Sequence, residues 1–231
     1  METNEGLVVV TGAAGALGRA VLAEFRRAGA EVVALDLPGD PLDEVGREPG
    51  VHPVAGELSS REQVRAAWQQ IDRIGTGTPT ALVALAGGFR PSSLAELTED
   101  IWDQMIASNV ASLLWCSQEA APRMAAAGGG AIVAVGSKTA VGGAAPVAHA
   151  TSKAAVVRMT ELLAEELRPQ GIRVNAVLPS VIDTPANRTW MSEDLAARSV
   201  KPEAIAKVIA FLAGPDAAPV SGARVPVYGD A

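Results

Sequence analysis

The sequence predicts one α/β domain, residues 1–231, with a doubly wound sheet of about seven parallel strands and helices on both faces. Three observations support this fold class. Segments such as LVVV (7–10) are unbroken apolar runs, which are typical of parallel strands buried on both faces. These runs alternate with segments whose apolar residues recur at helical spacing. The length of 231 residues suits a single large domain, and no linker or repeat interrupts the pattern.

The elements follow one another in strand and helix order. After the strand at 7–10 come glycines and a helical segment within 19–30. Further strands are predicted at 31–36, 51–58, 80–88, 130–137, 172–179 and 223–229. Further helices are predicted at 60–74 and at about 99–127, 149–167 and 202–212. The carboxyl ends of parallel strands form one edge of the sheet, where α/β proteins bind ligands, so candidate site residues are expected there.

The composition indicates a folded protein that binds small molecules or other subunits. Hydrophobic residues make up 48% and charged residues 19% of the chain, which excludes a disordered class, and the net charge of -7 argues against nucleic-acid or anionic-membrane surfaces. Cys116 is the only cysteine, so we expect core filling and no internal disulfide framework. The chain has neither a signal-peptide pattern nor a run of ~20 apolar residues, which predicts a soluble cytoplasmic protein.

The segment VTGAAGALG (10–18) places Gly12, Gly15 and Gly18 where the first strand turns into the first helix. Glycine lets such a turn close and lets backbone N–H groups approach a pyrophosphate. The positive end of the following helix favours the same negatively charged group. The strand, turn and helix therefore predict a dinucleotide-binding site.

Asp36 ends the second strand, at the distance where such sites carry an acidic residue. A carboxylate there can accept hydrogen bonds from the ribose hydroxyls of an adenosine and would repel a 2′-phosphate. The next residues are Leu37 and Pro38, so no arginine follows to offset the repulsion. The sequence thus predicts NAD(H) in preference to NADP(H). The alternative is that Asp36 only caps the strand end.

From Thr11 to Tyr228 the chain resembles the short-chain dehydrogenase/reductase family in motif order and spacing. The matching positions beyond the glycine turn and Asp36 are Asn109 in SNV, Ser137 at the fifth strand end, Lys153 at a helix start, and Pro179, Ile182 and Thr184 in LPSVIDTP. The resemblance implies a Rossmann-type oxidoreductase in which Ser137 steadies the substrate oxygen, Lys153 holds the nicotinamide ribose and Asn109 supports a water relay. The implied cofactor contacts are Gly12, Gly15, Leu17, Gly18, Asp36, Ala86, Gly87, Lys153, Pro179, Ile182 and Thr184.

The resemblance fails at the proton donor, because PVAHATSKAAV places His149 where the family has a tyrosine. The only tyrosine, Tyr228, lies in the final strand, so a shifted register does not explain the difference. Helix residues four apart share a face, so His149 and Lys153 lie together, and Ser137 can converge on them. A neighbouring ammonium favours the neutral form of an imidazole, so we expect the pKa of His149 to lie below the usual value of ~6.5.

Two further departures concern the cofactor loops. ALAG (84–87) replaces the family's usual Asn-Asn-Ala-Gly, and Ala16 stands where single-domain members usually have their second glycine. The segments GALG, AGGF, SKTA, LPSVIDTPANR and PEAIAKVIAFLAG are similar to the quinonoid dihydropteridine reductase branch, which reduces a quinone-like pterin with NADH. That branch keeps its tyrosine. The shared feature would be an electron-poor quinoid acceptor.

A quinoid acceptor is compatible with a missing phenol. Reduction of a simple ketone develops a basic alkoxide, for which general acid catalysis is worth ~100- to 10,000-fold. A quinone yields a phenolate-like anion, whose conjugate acid has a pKa of ~10. We therefore favour an NAD(H)-dependent reductase of quinone-like or other conjugated carbonyl compounds, with His149 as a hydrogen-bond partner or weak proton relay.

Two other interpretations stay open at this point. The reduced aromatic product could react with oxygen, so that the outcome resembles a monooxygenase. Alternatively, the chain could be a catalytically silent dinucleotide-binding sensor or structural subunit, which the missing tyrosine and Asn pair would favour. A catalytically inactive chain has no physical need for Ser137, Lys153 and Asn109. The presence of these residues therefore argues against the silent binding protein.

Several other residues could lie at the cleft. Arg90 and Arg188 could meet an acidic substrate group or be solvated. Trp190 and Met191 could form an apolar lid or pack on a helix. Lys138 is expected in solvent, and His52 is assigned no role. The His, Cys and Asp residues show no metal-ligand spacing, so we expect no metal. Family relatives assemble through long helices, and the Ala-rich stretch 109–127 suits a homodimer or homotetramer or, alternatively, burial in the monomer.

Overall fold

The seven strands of the computed structural model form one parallel sheet in the order β3-β2-β1-β4-β5-β6-β7, and the structure describes residues 6–230. The strands are β1 (Leu7–Thr11), β2 (Glu31–Asp36), β3 (Val51–Ala55), β4 (Pro79–Ala84), β5 (Gly130–Val135), β6 (Ile172–Pro179) and β7 (Arg224–Val227). β1 pairs with β2 on one side and with β4 on the other, so the direction of chain progression reverses beside β1. Such a reversal opens a crevice at the carboxyl ends of the strands.

Helices cover both faces of the sheet. They are α1 (Ala16–Arg27), α2 (Asp40–Val45), α3 (Arg61–Ile74), α4 (Glu99–Ile106), α5 (Ser112–Ala126), α6 (Val147–Leu167), α7 (Pro185–Arg188), α8 (Glu193–Arg198) and α9 (Pro202–Ala213). Hydroxyl side chains begin several of them, and the Oγ1 atom of Thr98, for example, accepts a hydrogen bond from the Ile101 nitrogen at 3.3 Å. None of the helices within residues 6–230 combines the length and apolarity needed to cross a membrane.

Two hydrophobic cores lie on opposite faces of the sheet. Val9 contributes to the core beneath α3, α5 and α6, whereas its neighbours Val8 and Val10 contribute to the core beneath α1 and α9. Alternate residues of a strand point to opposite faces, and here both faces are apolar, which explains the unbroken apolar runs. Trp68 is fully buried in the first core and Phe25 almost fully buried in the second. Together these cores hold the strand ends in position.

The predicted fold class is confirmed, with local differences. β3 ends at Ala55 rather than at residue 58, because its pairing with β2 ends there and the Gly56 nitrogen bonds to the Asp36 carbonyl oxygen at 2.9 Å. The predicted helix at 99–127 is interrupted by a π-helical turn, Ala107–Ala111. The short helices α2, α7 and α8 were not predicted, since six residues or fewer carry too little periodicity.

Candidate active site

The turn between β1 and α1 leaves no room for side chains at two of its three glycines. Gly12 has a φ of +66°, and a Cβ there would lie 2.9 Å from the Ala86 nitrogen. A Cβ on Gly18 would overlap the Gly12 carbonyl oxygen. Gly15 has a φ of -69°, and its Cβ would meet nothing closer than 3.5 Å, so the fold does not require glycine there. Within the described residues no side chain caps α1, which leaves its first N–H groups for a ligand.

Asp36 joins the end of β2 to the glycine turn. The Ala14 nitrogen donates to its Oδ2 atom at 2.8 Å, and the Leu37 nitrogen donates to its Oδ1 atom at 2.7 Å. Each carboxylate oxygen has a further lone pair and can accept a hydroxyl as well. The carboxylate therefore caps the strand end while staying able to bind a ribose. Two other predicted cofactor contacts lie near the glycine turn. Leu17 is half-buried and packs against the core. The Ala86 nitrogen donates to the Thr11 hydroxyl at 3.1 Å.

Three predicted residues meet behind the end of β4. Asn109 lies in the π-helical turn Ala107–Ala111 and is 2% exposed. Its Oδ1 atom accepts from the Gly88 nitrogen at 3.0 Å, and its Nδ2 atom donates to the Gly88 carbonyl oxygen at 3.2 Å. A Cβ on Gly87 would lie 2.5 Å from Asn109 Oδ1 and 3.4 Å from Lys153 Nζ. Glycine at 87 thus lets the backbone lie closer to the amide than a side chain would permit.

Lys153 is anchored at the end of β5. Its Nζ atom donates to the Val135 carbonyl oxygen at 2.8 Å, and burial lowers its pKa to about 8. Asn109 is tied to the same helix, because its Nδ2 atom donates to Ser152 Oγ at 3.0 Å and that hydroxyl donates to the His149 carbonyl oxygen at 2.8 Å. The first turn of α6, which carries His149, is thereby held against the π-helical turn.

His149 lies next to Phe89, and the ring centroids are 4.9 Å apart with an interplanar angle of 77°. Burial lowers the pKa of the imidazole, the positive charge of Lys153 lowers it further, and a hydrogen bond with the Gly88 backbone raises it. The sequence predicts the same direction from Lys153 alone, whereas burial is the larger cause. Within residues 6–230 the buried Nδ1 atom has no hydrogen-bond partner, which is unusual for a buried polar atom.

Ser137 is engaged within its own turn. Its Oγ atom lies 2.8 Å from Thr139 Oγ1 and accepts from the Thr139 nitrogen at 3.2 Å, so it caps the 3₁₀ turn Lys138–Ala140. Among the described residues no hydrogen bond joins Ser137 to His149 or Lys153. The predicted convergence of Ser137, His149 and Lys153 therefore has no hydrogen bond between their described side chains.

The remaining predicted cofactor residues form the opposite wall of the crevice. Pro179 ends β6, Ile182 forms a single β-bridge, and Thr184 Oγ1 accepts from the Asn187 nitrogen at 3.1 Å to begin α7. A cavity of about 500 Å³ lies between Thr184 and Ala16 of the glycine turn. Its size and its position beside the open end of α1 are compatible with part of a dinucleotide.

The rim residues have different environments. Arg188 forms an ion pair with Asp183, with one N–O distance of 2.8 Å, which lowers the pKa of the carboxyl. Arg90 donates to the neutral Gln104 side chain at 3.0 Å. Trp190 is 59% exposed, whereas Met191 is half-buried and accepts from Ser199 Oγ at 3.4 Å. The lid interpretation thus suits Trp190 better than Met191.

Residues outside the crevice take structural roles. Lys138 is exposed, as predicted, and its Nζ atom lies 5.2 Å from the Tyr228 ring centroid. His52 Nε2 lies 2.7 Å from Glu31 Oε2 on β2. Cys116 is buried, which raises its pKa to about 12 and makes the thiol unreactive. No cluster of metal-ligating side chains occurs in the part of the chain that the structure describes.

Sequence reasoning missed two residues at the crevice. Arg19 donates through Nε to the Ala14 carbonyl oxygen at 3.0 Å, so an arginine does lie near Asp36, although none follows it along the chain. Phe89 contacts His149 from the loop after β4. Position in the fold was the available signal, since the first turn of α1 and the end of β4 both lie at the carboxyl edge of the sheet.

Comparison with known proteins assigns the family. A profile described as short chain dehydrogenase matches residues 6–195. The chain belongs to the short-chain dehydrogenase/reductase family. It is 34% identical to a 3-oxoacyl-[acyl-carrier-protein] reductase of Thermotoga maritima, over 97% of each chain, and 31% identical to a (3R)-3-hydroxyacyl-CoA dehydrogenase of Mus musculus, over 99% of this chain and 97% of that one.

Solved structures agree with this assignment. A 3-oxoacyl-[acyl-carrier protein] reductase from Brucella melitensis superposes with a TM-score of 0.91 at 26% identity, covering 99% of this chain and 92% of that one. A second reductase from that organism, with bound NAD, gives a TM-score of 0.89 at 27% identity, covering the same shares. As a short-chain dehydrogenase/reductase this protein is an oxidoreductase, and the family binds a nicotinamide dinucleotide.

The residues present fit such a cofactor. The glycine turn admits backbone approach, the first N–H groups of α1 face the crevice, and the Asp36 carboxylate can accept hydroxyls. Gly87 brings the backbone after β4 close to the Asn109 amide and the Lys153 ammonium. A dinucleotide could therefore lie along the carboxyl edge of the sheet, with its two ends met by different groups.

Proposed function

We propose that this protein is an NAD(H)-dependent reductase of quinone-like or other conjugated carbonyl compounds. The observation that carries the proposal is the environment of His149, a half-buried imidazole of lowered pKa, four residues before Lys153, where the resemblance expects a tyrosine. The bound dinucleotide would supply the hydride. The other steps, which position the acceptor and stabilise the product anion, fall to the side chains of the crevice.

A neutral imidazole is a weak acid, so the proposed acceptor is one that needs little acid help. A hydroquinone oxygen has a pKa of ~10, comparable to a phenol, whereas an alkoxide is far more basic. In this proposal the Lys153 ammonium stabilises the product anion electrostatically, and a neutral His149 donates a hydrogen bond to it or relays a proton. Ser137 would orient the substrate oxygen after turning from Thr139.

Exposed aromatic surface supports a flat substrate. Phe89 is 57% exposed although its ring touches His149, and Trp190 is exposed on the segment after β6. Both follow strands that end at the same edge of the sheet. Aromatic rings there can stack on a conjugated ligand, which supports a quinoid or aromatic carbonyl over an aliphatic one.

The proposed cofactor preference is NAD(H) over NADP(H), and Asp36 supports it. Its two oxygens are oriented by the Ala14 and Leu37 nitrogens, so the carboxylate stays at the end of β2. A charged carboxylate beside the adenosine ribose accepts hydroxyls and repels a phosphate.

The proposed working form is a cytoplasmic homodimer or homotetramer that acts on a small molecule. Exposed apolar side chains on helices support association, namely Trp102 on α4, Leu162 on α6 and Phe211 on α9. The single buried thiol of Cys116 is compatible with a reducing compartment. Light scattering of the purified protein would measure the assembly.

The test is a comparison of His149→Phe with wild type, using NADH and a panel of quinones. We expect kcat/KM to fall about tenfold or more, the size of a lost hydrogen bond to a charged group. His52→Phe, at the only other histidine, is the matched control and should keep wild-type activity. Full activity of His149→Phe would reduce the histidine to a packing role.

The same assays separate the two rival functions. Oxygen consumption that matches NADH oxidation on an aromatic substrate would indicate a hydroxylating outcome. NADH that binds but is never oxidised by any quinone or carbonyl would indicate a silent binding protein. Stoichiometric hydroquinone formation without oxygen uptake is the result that we expect.

A further inference from the structure

Arg19 is held beside the carboxylate that is proposed to read the adenosine ribose. Its Nε atom donates to the Ala14 carbonyl oxygen at 3.0 Å, while the Ala14 nitrogen donates to Asp36 Oδ2 at 2.8 Å. The guanidinium and the carboxylate are therefore attached to the two ends of one residue. This proximity arises because the first turn of α1 crosses the end of β2, and it is independent of any residue that follows Asp36 along the chain.

A second carboxylate engages the same arginine. Arg19 Nη2 donates to Glu44 Oε2 at 2.8 Å and to the Pro41 carbonyl oxygen at 3.3 Å, both contributed by α2. The Arg19 and Glu44 side chains are 41% and 56% exposed, so the pair lies at the protein surface. Within residues 6–230 no hydrogen bond engages Nη1. The guanidinium thus retains a donor, and its charge is offset by a solvent-exposed carboxylate.

We propose that Arg19, Asp36 and Glu44 together set the dinucleotide preference of this enzyme. Arg19 is an anchor for the 2′-phosphate of an NADP-type dinucleotide, Asp36 repels that phosphate, and Glu44 occupies the anchor. The inference rests on the proposed function to the extent that Asp36 lies at the adenosine ribose. The inference goes beyond the proposed function because it assigns roles in dinucleotide selectivity to the Arg19 cation and to a second carboxylate, Glu44.

The physical basis is a competition for one guanidinium. An arginine binds a phosphate through charge-assisted, often bidentate hydrogen bonds, and it binds a carboxylate in the same way. While Glu44 holds Nη2, a phosphate gains less from Arg19 and pays the repulsion of Asp36. Removal of Asp36 lifts the repulsion, and removal of Glu44 then frees the anchor. The two carboxylates should therefore act in sequence, and the effect of Glu44 should require Arg19.

The experiment measures dissociation constants of NADH, NADPH and 2′,5′-ADP for the full chain by calorimetric titration, without any turnover. The variants are Asp36→Ser, Asp36→Ser with Glu44→Gln, and that double variant with Arg19→Gln. The matched control adds Glu24→Gln to Asp36→Ser, since Glu24 pairs with Arg27 on the same helix at 2.6 Å. Thermal unfolding of each variant checks that the fold is retained, and Arg19→Lys serves as the conservative replacement.

We expect Asp36→Ser to tighten NADPH binding about tenfold, because the repulsion between the Asp36 carboxylate and the 2′-phosphate is removed. Adding Glu44→Gln should tighten it about threefold more, the size expected of an exposed charge pair, and Arg19→Gln should cancel that gain while Arg19→Lys keeps part of it. Glu24→Gln should add nothing.

Two results would overturn the inference. One is an equal gain from Glu44→Gln and Glu24→Gln, which would reduce the effect to net charge. The other is a gain from Glu44→Gln that survives Arg19→Gln. Failure of wild type and all variants to bind either dinucleotide would instead defeat the proposed function itself.

Discussion

At the nucleotide end of the crevice the backbone determines the geometry, whereas at the reacting end buried side chains do. Gly12 and Gly18 have no space for a Cβ, and Asp36 accepts two backbone hydrogen bonds. At the other end Lys153 has its pKa lowered by burial, and His149 keeps a buried nitrogen without a partner within the described residues. At the first end the opening N–H groups of α1 have no side-chain cap among the described residues and stay available to a ligand. The second end holds a buried ammonium and, four residues away on α6, an imidazole nitrogen without a partner, and perturbed polar groups of this kind are common at functional sites.

The largest effect that distinguishes the two ends of the crevice is expected at Lys153. We expect Lys153→Met to lower kcat about 100- to 1000-fold, because a preorganised charge at the developing anion is lost. NADH binding should weaken much less, since the glycine turn and Asp36 are untouched. Stopped-flow turnover and fluorescence titration measure the two quantities. An equal loss in both would mean that the two ends are not separable.

A paired glycine experiment sharpens the comparison at the nucleotide end. Gly18→Ala should cost about 1–3 kcal/mol of unfolding free energy through overpacking, because its Cβ overlaps the Gly12 carbonyl oxygen. Gly15→Ala has space for its Cβ and should cost less than about 1 kcal/mol. Chemical denaturation measures both. Similar costs at Gly15 and Gly18 would argue against steric control of this turn.

Near neutral pH the smallest effect is expected from the titration of Lys153. The pKa of Lys153 is lowered to about 8, so its charge is present below that pH and lost above it. We expect kcat/KM for quinone reduction to fall up to about tenfold per unit above pH 8, whereas an ordinary lysine would hold its charge to ~10.4. Lys153→Arg should abolish the fall in whatever activity it retains, because a guanidinium stays protonated. A flat wild-type profile between pH 7 and 10 would contradict the assigned burial effect.

The two ends also differ in how far they could be predicted from the sequence. The glycine turn, Asp36 and the strand Ile172–Pro179 follow from local patterns, because backbone sterics and apolar runs act over a few residues. The Arg19–Glu44 pair joins residues 25 apart, and the contact of Phe89 with His149 joins the loop after β4 to the first turn of α6. Such contacts depend on how elements cross. The sequence predicts that Ser137 lies at the end of a strand. It does not predict the hydrogen bond between Ser137 and Thr139, because that bond depends on the geometry of the local turn.

The most direct test of the account is the ratio of kcat/KM for a quinone to kcat/KM for a simple ketone, in wild type and in His149→Tyr. Wild type should strongly favour the quinone. His149→Tyr should raise ketone reduction about 100-fold or more, the lower range of general acid catalysis, while quinone reduction changes less than about threefold. Equal effects on both substrates, or no effect on either, would contradict the claim that this site is built for acceptors that need little acid help.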